Sequence, residues 1–416
     1  VGENMKRRVV ITGLGTLNPV GNTVDESFDA IIQGKNGLGP ITNYEPANSK
    51  IKIAGELKNI DFETYLDKKE IKRSDKVMVL GTIAAMQAYS DSGLNENDYD
   101  PYRFGIFVTS GIGGLNTMEQ DISIKALRGA DRISPFFIPN SIINMVGGMI
   151  SIKFKVKGPN IPIVTACSAA TNAIGEAFRN IRDGYLDLAF AGGAEASINE
   201  TGVGGFAALK ALSTETDVNK ASRPFDKERS GFVMGEGSGV LILESLESAK
   251  KRGAKIYAEI VGYGSTSDAF HMTAPDNDAD GLTKAIELTL ADANVKPEAV
   301  GYINAHGTST LLNDKIETLG IKRAFKAHAY DLNVSSTKGA TGHMLGATGA
   351  VESIFCIKAL QTGLIPPTIN YENFDPECDL NYTVNKSVSR NIDYAMNINV
   401  GFGGQNAVVL YKKYGE

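Results

Sequence analysis

Gly301-Tyr302-Ile303-Asn304-Ala305-His306-Gly307 repeats the plan of Gly105-Ile106-Phe107-Val108-Thr109-Ser110-Gly111, about 200 residues apart in a chain of 416. Each follows a helical stretch, beginning near Ala285 and Ala85, and a polar turn, Asp292-Ala293-Asn294-Val295 and Asp91-Ser92-Gly93-Leu94. The two segments therefore read alike as helix, turn and strand. Later pieces follow the same plan. Phe190-Ala191-Gly192-Gly193 closes a strand in the first half, and Gly401-Phe402-Gly403-Gly404 closes Met396-Asn397-Ile398-Asn399-Val400 in the second. The pattern predicts two similar α/β halves, residues 5–255 and 256–416, with the boundary near 255 where Lys250-Lys251-Arg252-Gly253 ends a helix. Equivalent strand ends of such halves meet at one pseudo-twofold cleft.

The rest of the chain agrees with an α/β fold. Val9–Thr12, Gly105–Val108, Ile161–Val164, Leu186–Phe190 and Val240–Leu243 are short apolar runs bounded by glycine or polar residues, as buried strands require. Ala170, Ile174, Ala177, Phe178 and Ile181 recur at helical spacing, with Glu176, Arg179 and Arg182 off that stripe. Hydrophobic residues make up 42%, charged residues 22%, and the net charge is -6, which excludes a disordered or collagenous chain and argues against nucleic-acid binding. No apolar stretch is long enough for a membrane span and no signal peptide is legible, so the expected location is cytoplasmic. Val1–Asn4 read as a cloning remnant ahead of Met5-Lys6-Arg7-Arg8.

Three cysteines in a long chain suggest thiol chemistry rather than a disulfide framework. Cys167 is placed after the strand Ile161–Val164 and before the amphipathic helix, where the helix dipole is expected to lower its pKa. Cys356 lies in an apolar helix and reads as core; Cys378, in Asp375-Pro376-Glu377-Cys378-Asp379 with no basic neighbour, reads as incidental. Of four histidines, His306 and His343 stand at glycine-flanked strand ends or loops, which allow another group to approach closely. His328 reads as a surface residue and His271 as ambiguous. No His or Cys spacing suits zinc, and no metal is expected. Gly13-Leu14-Gly15 after a strand is a partial dinucleotide fingerprint with Asn18 at the third small position, which keeps a nicotinamide-dependent dehydrogenase as the unrelated alternative.

Thr165-Ala166-Cys167-Ser168-Ala169, Asn304-Ala305-His306-Gly307-Thr308-Ser309-Thr310, Lys338-Gly339-Ala340-Thr341-Gly342-His343 and Gly401-Phe402-Gly403-Gly404 resemble, in that order, the motifs of the beta-ketoacyl-[acyl-carrier-protein] synthases. Arg223-Pro224-Phe225-Asp226, Ser134-Pro135-Phe136-Phe137 and Gly204-Gly205-Phe206 add to a resemblance that runs from Arg8 to Tyr411. It implies a thiolase-like fold, two similar α/β halves packed as a layered α-β-α-β-α sandwich. The implied reaction moves an acyl group from acyl carrier protein to Cys167, then condenses it with the carbanion left when malonyl-carrier protein loses CO2. No resident cofactor is implied, because phosphopantetheine arrives on the carrier.

By the same resemblance, His306 and His343 donate to the malonyl thioester oxygen, and the backbone N–H groups of Cys167 and Phe402 form an oxyanion hole. Lys338 and Glu352 flank the histidines. Thr308 and Thr310 bind the pantetheine arm, and Ile112, Phe137, Phe206 and Phe402 line or gate an acyl tunnel; taken singly, each of these four aromatic or aliphatic residues reads as core packing. Phe137 would reach a neighbouring subunit's pocket, so a homodimer is implied. Lys69, Lys72, Arg73 and Lys76 at i, i+3, i+4 and i+7, with Lys125, Arg128 and Arg132, form cationic stripes that could steer an acidic carrier despite the net charge, or be ordinary solvated faces. Other condensing enzymes, the type I elongation enzymes and polyketide ketosynthases, share the Cys-His-His set. A degradative thiolase would need a second cysteine near the C-terminus, and the initiating condensing enzymes place Asn where His343 stands.

Overall fold

A computed structural model describes residues 6–415, so the Val1–Asn4 segment and the Met5 start lie outside the described residues. Nine strands form one continuous sheet: β1 (Val9–Leu17), β2 (Phe104–Thr109), β3 (Leu188–Glu195), β4 (Gly237–Ser245), β5 (Ala258–Ser267), β6 (Val300–Asn304), β7 (Asn333–Ser335), β8 (Tyr394–Gly401) and β9 (Gln405–Lys413). Their spatial order is β2-β3-β4-β1-β5-β9-β8-β6-β7. Its symmetry is the duplication. From the centre outward, β1, β4, β3 and β2 correspond to β5, β9, β8 and β6, and the senses match pair for pair. β2 with β3 and β6 with β8 are parallel, and the remaining contacts within each half, β7 with β6 apart, are antiparallel. The halves join where the first strand of each meets the other, antiparallel, over Val9↔Ile260, Val10↔Glu259 and Ile11↔Ala258.

Helix α1 (Lys76–Ser92) ends at Gly93 with φ 65°, and α3 (Asp280–Ala293) ends at Asn294 with φ 52°. These left-handed caps suit glycine and asparagine, and they are the two turns whose resemblance exposed the repeat. Between the halves lie α2 (Ala169–Arg182) and α5 (Thr348–Thr362). The stripe Ala170, Ile174, Ala177, Phe178 and Ile181 packs with Ala350, Ile354, Ile357 and Leu360 and with strands of both halves in one buried cluster. Helix α1 covers the outer face of the first half; α3 and α4 (Leu311–Phe325) cover that of the second. Five layers result.

Three local readings change. Ile161–Val164 is not a strand: Ile106 N–H donates to Pro159 O at 2.8 Å and Ile161 N–H to Ile106 O at 2.9 Å, leaving a single bridge at Asn160, and Pro162 has no N–H to carry the ladder on. Cys167 accordingly follows a loop, in the short 3-10 turn Ala166–Ser168. Gly192 and Gly193 lie inside β3, not at its end. Gly13 and Gly15 are interior to β1, where an added Cβ would meet the carbonyl oxygens of Ala88 and Ala84 at 2.2 and 2.1 Å. They permit a helix to lie close on a strand and form no phosphate loop.

Candidate active site

The C-terminal strand ends of the two halves converge, as ligand sites in open α/β sheets commonly do. The bridge at Asn160 leads to Cys167, β6 leads to His306, β7 to Lys338 and His343, and β8 to Phe402. Cys167, His306, His343, Thr308, Thr310, Phe206 and Phe402 all line one cavity of about 390 Å³. The imidazole rings of His306 and His343 meet edge to face with centroids 5.2 Å apart, and Phe232 packs on His343 in the same manner at 5.2 Å. Thr308 and Thr310 share a hydroxyl hydrogen bond of 2.9 Å.

Cys167 is 7% exposed. Its thiol is not acidic: burial pushes it up to about 12, with Glu195 adding to the rise, while Lys338 and the backbone N–H groups of Phe402 and Cys167 pull the other way. The helix-start expectation of a lowered value is thus overturned, because loss of water outweighs the dipole. The same N–H groups, of Cys167 and Phe402, face the sulfur. Gly401 makes their approach possible, since an added Cβ there would lie 2.6 Å from Thr165 O and 3.2 Å from Cys167 N. Both histidines are held well below the ordinary value, first by burial and then by the Lys338 charge, so both rings are neutral at neutral pH.

Lys338 Nζ donates to Glu352 Oε1 at 2.5 Å, each side chain 1% exposed. Three further residues complete the site without having been singled out from the sequence. Glu317 accepts the backbone N–H groups of His306 at 2.6 Å and Gly307 at 2.7 Å. Glu195 accepts from Ser110 Oγ, the Gly111 N–H and the Gly346 N–H, tying the loop after β2 to the segment before α5. Asn399 donates from Nδ2 to Glu352 Oε2 at 2.7 Å. A legible signal existed for the last: Asn397 and Asn399 alternate within an otherwise apolar strand, a pattern that puts two amides on one buried face.

Other residues fall elsewhere. Ile112 packs in the apolar cluster that includes Cys167, Ile198, Val203, Phe232 and Leu345, beside but outside the cavity lining. Phe137 opens the short helix Phe137–Ser141 and is not part of the lining. Lys69, Lys72 and Arg73 lie exposed on Lys68–Arg73, but Lys76 does not share that helix. Ser74 is extended, Asp75 caps a new helix, and Lys76 Nζ bonds both Glu236 oxygens at 2.7 Å. Lys125, Arg128 and Arg132 are exposed at the end of Leu115–Arg128 and in Ala130–Arg132. Cys378 is fully buried and Arg229 acts on it, contrary to its isolated look in sequence, and His328 is half-buried with Nε2 3.0 Å from Val300 O. Among the described residues no group of three or more His, Cys, Asp or Glu could hold a metal ion. No helix among them is long and apolar enough to cross a membrane.

Family models match residues 6–249 as the beta-ketoacyl synthase N-terminal domain and 257–372 as the beta-ketoacyl synthase C-terminal domain. A curated relative from Synechocystis sp., 3-oxoacyl-[acyl-carrier-protein] synthase 2, is 48% identical over 410 residues, covering 98% of this chain and 99% of its own. One of the same name from Staphylococcus aureus is 46% identical and covers 99% of each. Among solved structures, a beta-ketoacyl synthase from Burkholderia phymatum superposes with a TM-score of 0.91 at 31% identity, covering 98% of this chain and 100% of its own. A chain from a type II PKS acyl-carrier protein in complex with its ketosynthase bound to the hexaketide does so at 0.91 and 34%, covering 98% and 100%. The chain belongs to the beta-ketoacyl synthase family, condensing enzymes of thiolase-like fold.

Neutral burial of two imidazoles has a cost that depends on pH. The unfolded state binds protons below about 6.5 and the folded state does not, so stability is fully present above that value and falls as pH drops below it, by up to about 1.4 kcal/mol per pH unit for each ring. In urea unfolding between pH 6.5 and 5, the paired substitutions His306→Gln and His343→Gln are expected to flatten that acid slope. Equal slopes in parent and variant would refute the neutral assignment.

Proposed function

We propose that the chain elongates fatty acyl chains by two carbons, through decarboxylative condensation of malonyl-acyl carrier protein with an acyl group held on Cys167. The observation that carries this reading is the convergence of one buried thiol, two neutral imidazoles and two backbone N–H groups on a single cavity. In the first step the Cys167 sulfur bonds the acyl carbonyl carbon, the oxyanion rests on the N–H groups of Cys167 and Phe402, and the carrier's thiol departs with the proton that Cys167 gave up. Each such donor is worth roughly 3–4 kcal/mol of transition-state stabilisation. The apolar cluster around Cys167, with Ile112 and Phe206 at its edge, supplies the surroundings an acyl chain needs.

In the second step the malonyl carboxylate leaves as CO2, and His306 and His343 donate to the thioester oxygen as the enolate forms. Its carbon then bonds the acyl carbonyl carbon, the Cys167–acyl bond breaks, and one proton from solvent restores the thiol. Neutral rings suit this work: they donate without presenting a full charge to the departing carboxylate. Thr308 and Thr310 line the cavity, where their hydroxyls would bind the phosphopantetheine arm that arrives on the carrier. Incubation with acyl-carrier protein followed by peptide mass analysis is expected to place the acyl mass on the Cys167 peptide, and His343→Ala to keep that adduct while losing malonyl decarboxylation at least 100-fold. An adduct on Cys356 or Cys378, or equal loss of both steps, would defeat the assignment.

Two surfaces extend the proposal. Lys69, Lys72, Arg73, Lys125, Arg128 and Arg132 are exposed, and none forms an ion pair among the described residues, so they are available to an acidic carrier. Lys125→Glu with Arg128→Glu is expected to raise KM for carrier-bound substrate about tenfold and to leave KM for a short pantetheine thioester unaltered; parallel changes in both would remove the docking role. Between Phe136 and Val164, Phe136, Ile138, Ile142, Ile152, Ile161 and Val164 are 40–71% exposed, next to a sheet edge, β2, whose outer side carries only the single bridge at Asn160. Such an edge favours a second copy of the chain in a homodimer. Sedimentation at micromolar concentration should give twice the chain mass of 44.4 kDa, and Ile161→Lys should shift it toward the monomer. A parent sedimenting as a monomer would exclude the dimer.

A further inference from the structure

We infer that Asn399 is a positioning residue that fixes His306 in the Nε2–H tautomer. The inference rests on the proposed donor role of His306. Asn399 Nδ2 lies 3.3 Å from His306 Nδ1 and 2.7 Å from Glu352 Oε2, while its Oδ1 accepts from Thr171 Oγ1 at 2.5 Å and Asn397 Nδ2 at 3.2 Å. That amide has one sustainable orientation. Turned over, its oxygen would face the Glu352 carboxylate and its NH2 would face the NH2 of Asn397, which itself is committed to Gly349 O at 2.9 Å. An amide NH2 can only donate. His306 Nδ1 must therefore accept, and in a neutral ring the proton then resides on Nε2.

The chain of contacts is continuous from Lys338 Nζ through both Glu352 oxygens and Asn399 Nδ2 to His306 Nδ1. All four residues are at most 3% exposed. His343 is served differently. Its Nδ1 lies 3.1 Å from Thr348 Oγ1, a hydroxyl that can donate or accept and so leaves either tautomer open. Asn399 thus gives one of the two imidazoles a donor of fixed direction, with Nε2–H left to the cavity the ring lines.

The full chain labelled with 15N-histidine decides the matter, because only four histidines contribute and His306→Gln identifies the resonances that vanish. His306 is expected to show a protonated, pyrrole-type Nε2 and an unprotonated, pyridine-type Nδ1 at pH 7. A protonated Nδ1, or a mixture of both tautomers, overturns the inference whether or not any variant folds. Asn399→Asp presents an acceptor instead of a donor and should draw the proton to Nδ1, exchanging the two resonance types and lowering kcat for malonyl decarboxylation about 10²-fold with little change in KM. A folded Asn399→Asp protein with parental resonances and parental kcat also overturns it. Failure of Cys167 to take an acyl group would instead strike the proposed function, and leaves the tautomer result standing on its own.

Discussion

A cation and an anion 2.5 Å apart, Lys338 and Glu352, are buried at the junction of the two halves, and much of the site is arranged around them. Each member of such a pair depends on the other, because a lone partner left in that setting costs about 3–5 kcal/mol. Glu352 spends its second oxygen on Asn399, and the positive charge on Lys338 adds to burial, the larger cause, in keeping both histidines unprotonated. The carboxylate comes from the middle-layer helix α5 and the ammonium from the first residue of the short helix Lys338–Thr341 that follows β7. Packing the layers and setting the charge state of the site are therefore one event.

Glu195 does for the backbone what that pair does for the side chains. Its oxygens collect N–H groups from residues 111 and 346, which belong to opposite halves, and hydroxyls from Ser110 and Ser197. Gly111 and Gly346 come so close that a Cβ on Gly346 would sit 2.1 Å from the Gly111 nitrogen. The glycine excess of the chain has this cause as much as turn formation: strands, helices and halves approach backbone to backbone.

The duplication was legible because its marks are local. A left-handed cap at Gly93 and Asn294, followed by an apolar strand, is written in a few adjacent residues. The cysteine and two histidines were legible for a similar reason, each lying in a short motif of adjacent residues. What escaped depends on distant chain. The Cys167 thiol reads as activated from its own segment, yet its burial is the work of surrounding residues such as Phe206, Phe232 and Phe402, and burial wins. The i, i+7 reading of Lys76 failed on Ser74-Asp75, a stop and a cap that split one apparent helix into two. Ile161–Val164 looked like a strand because its apolar content is right, and the missing N–H of Pro162 decided otherwise.

The covered thiol has a chemical consequence outside the condensation itself. Peroxides and other oxidants attack sulfur as the thiolate, and the first product, a sulfenic acid, forms in proportion to thiolate and access. Cys167 at rest offers little thiolate, since burial pushes its thiol up to about 12 and leaves it 7% exposed at the cavity wall. On the proposed mechanism, anionic sulfur exists only while an acyl carbonyl occupies the cavity, or as the product thioester leaves. The same burial that defers the nucleophile until its substrate arrives also keeps low the resting fraction of thiolate that such oxidants need.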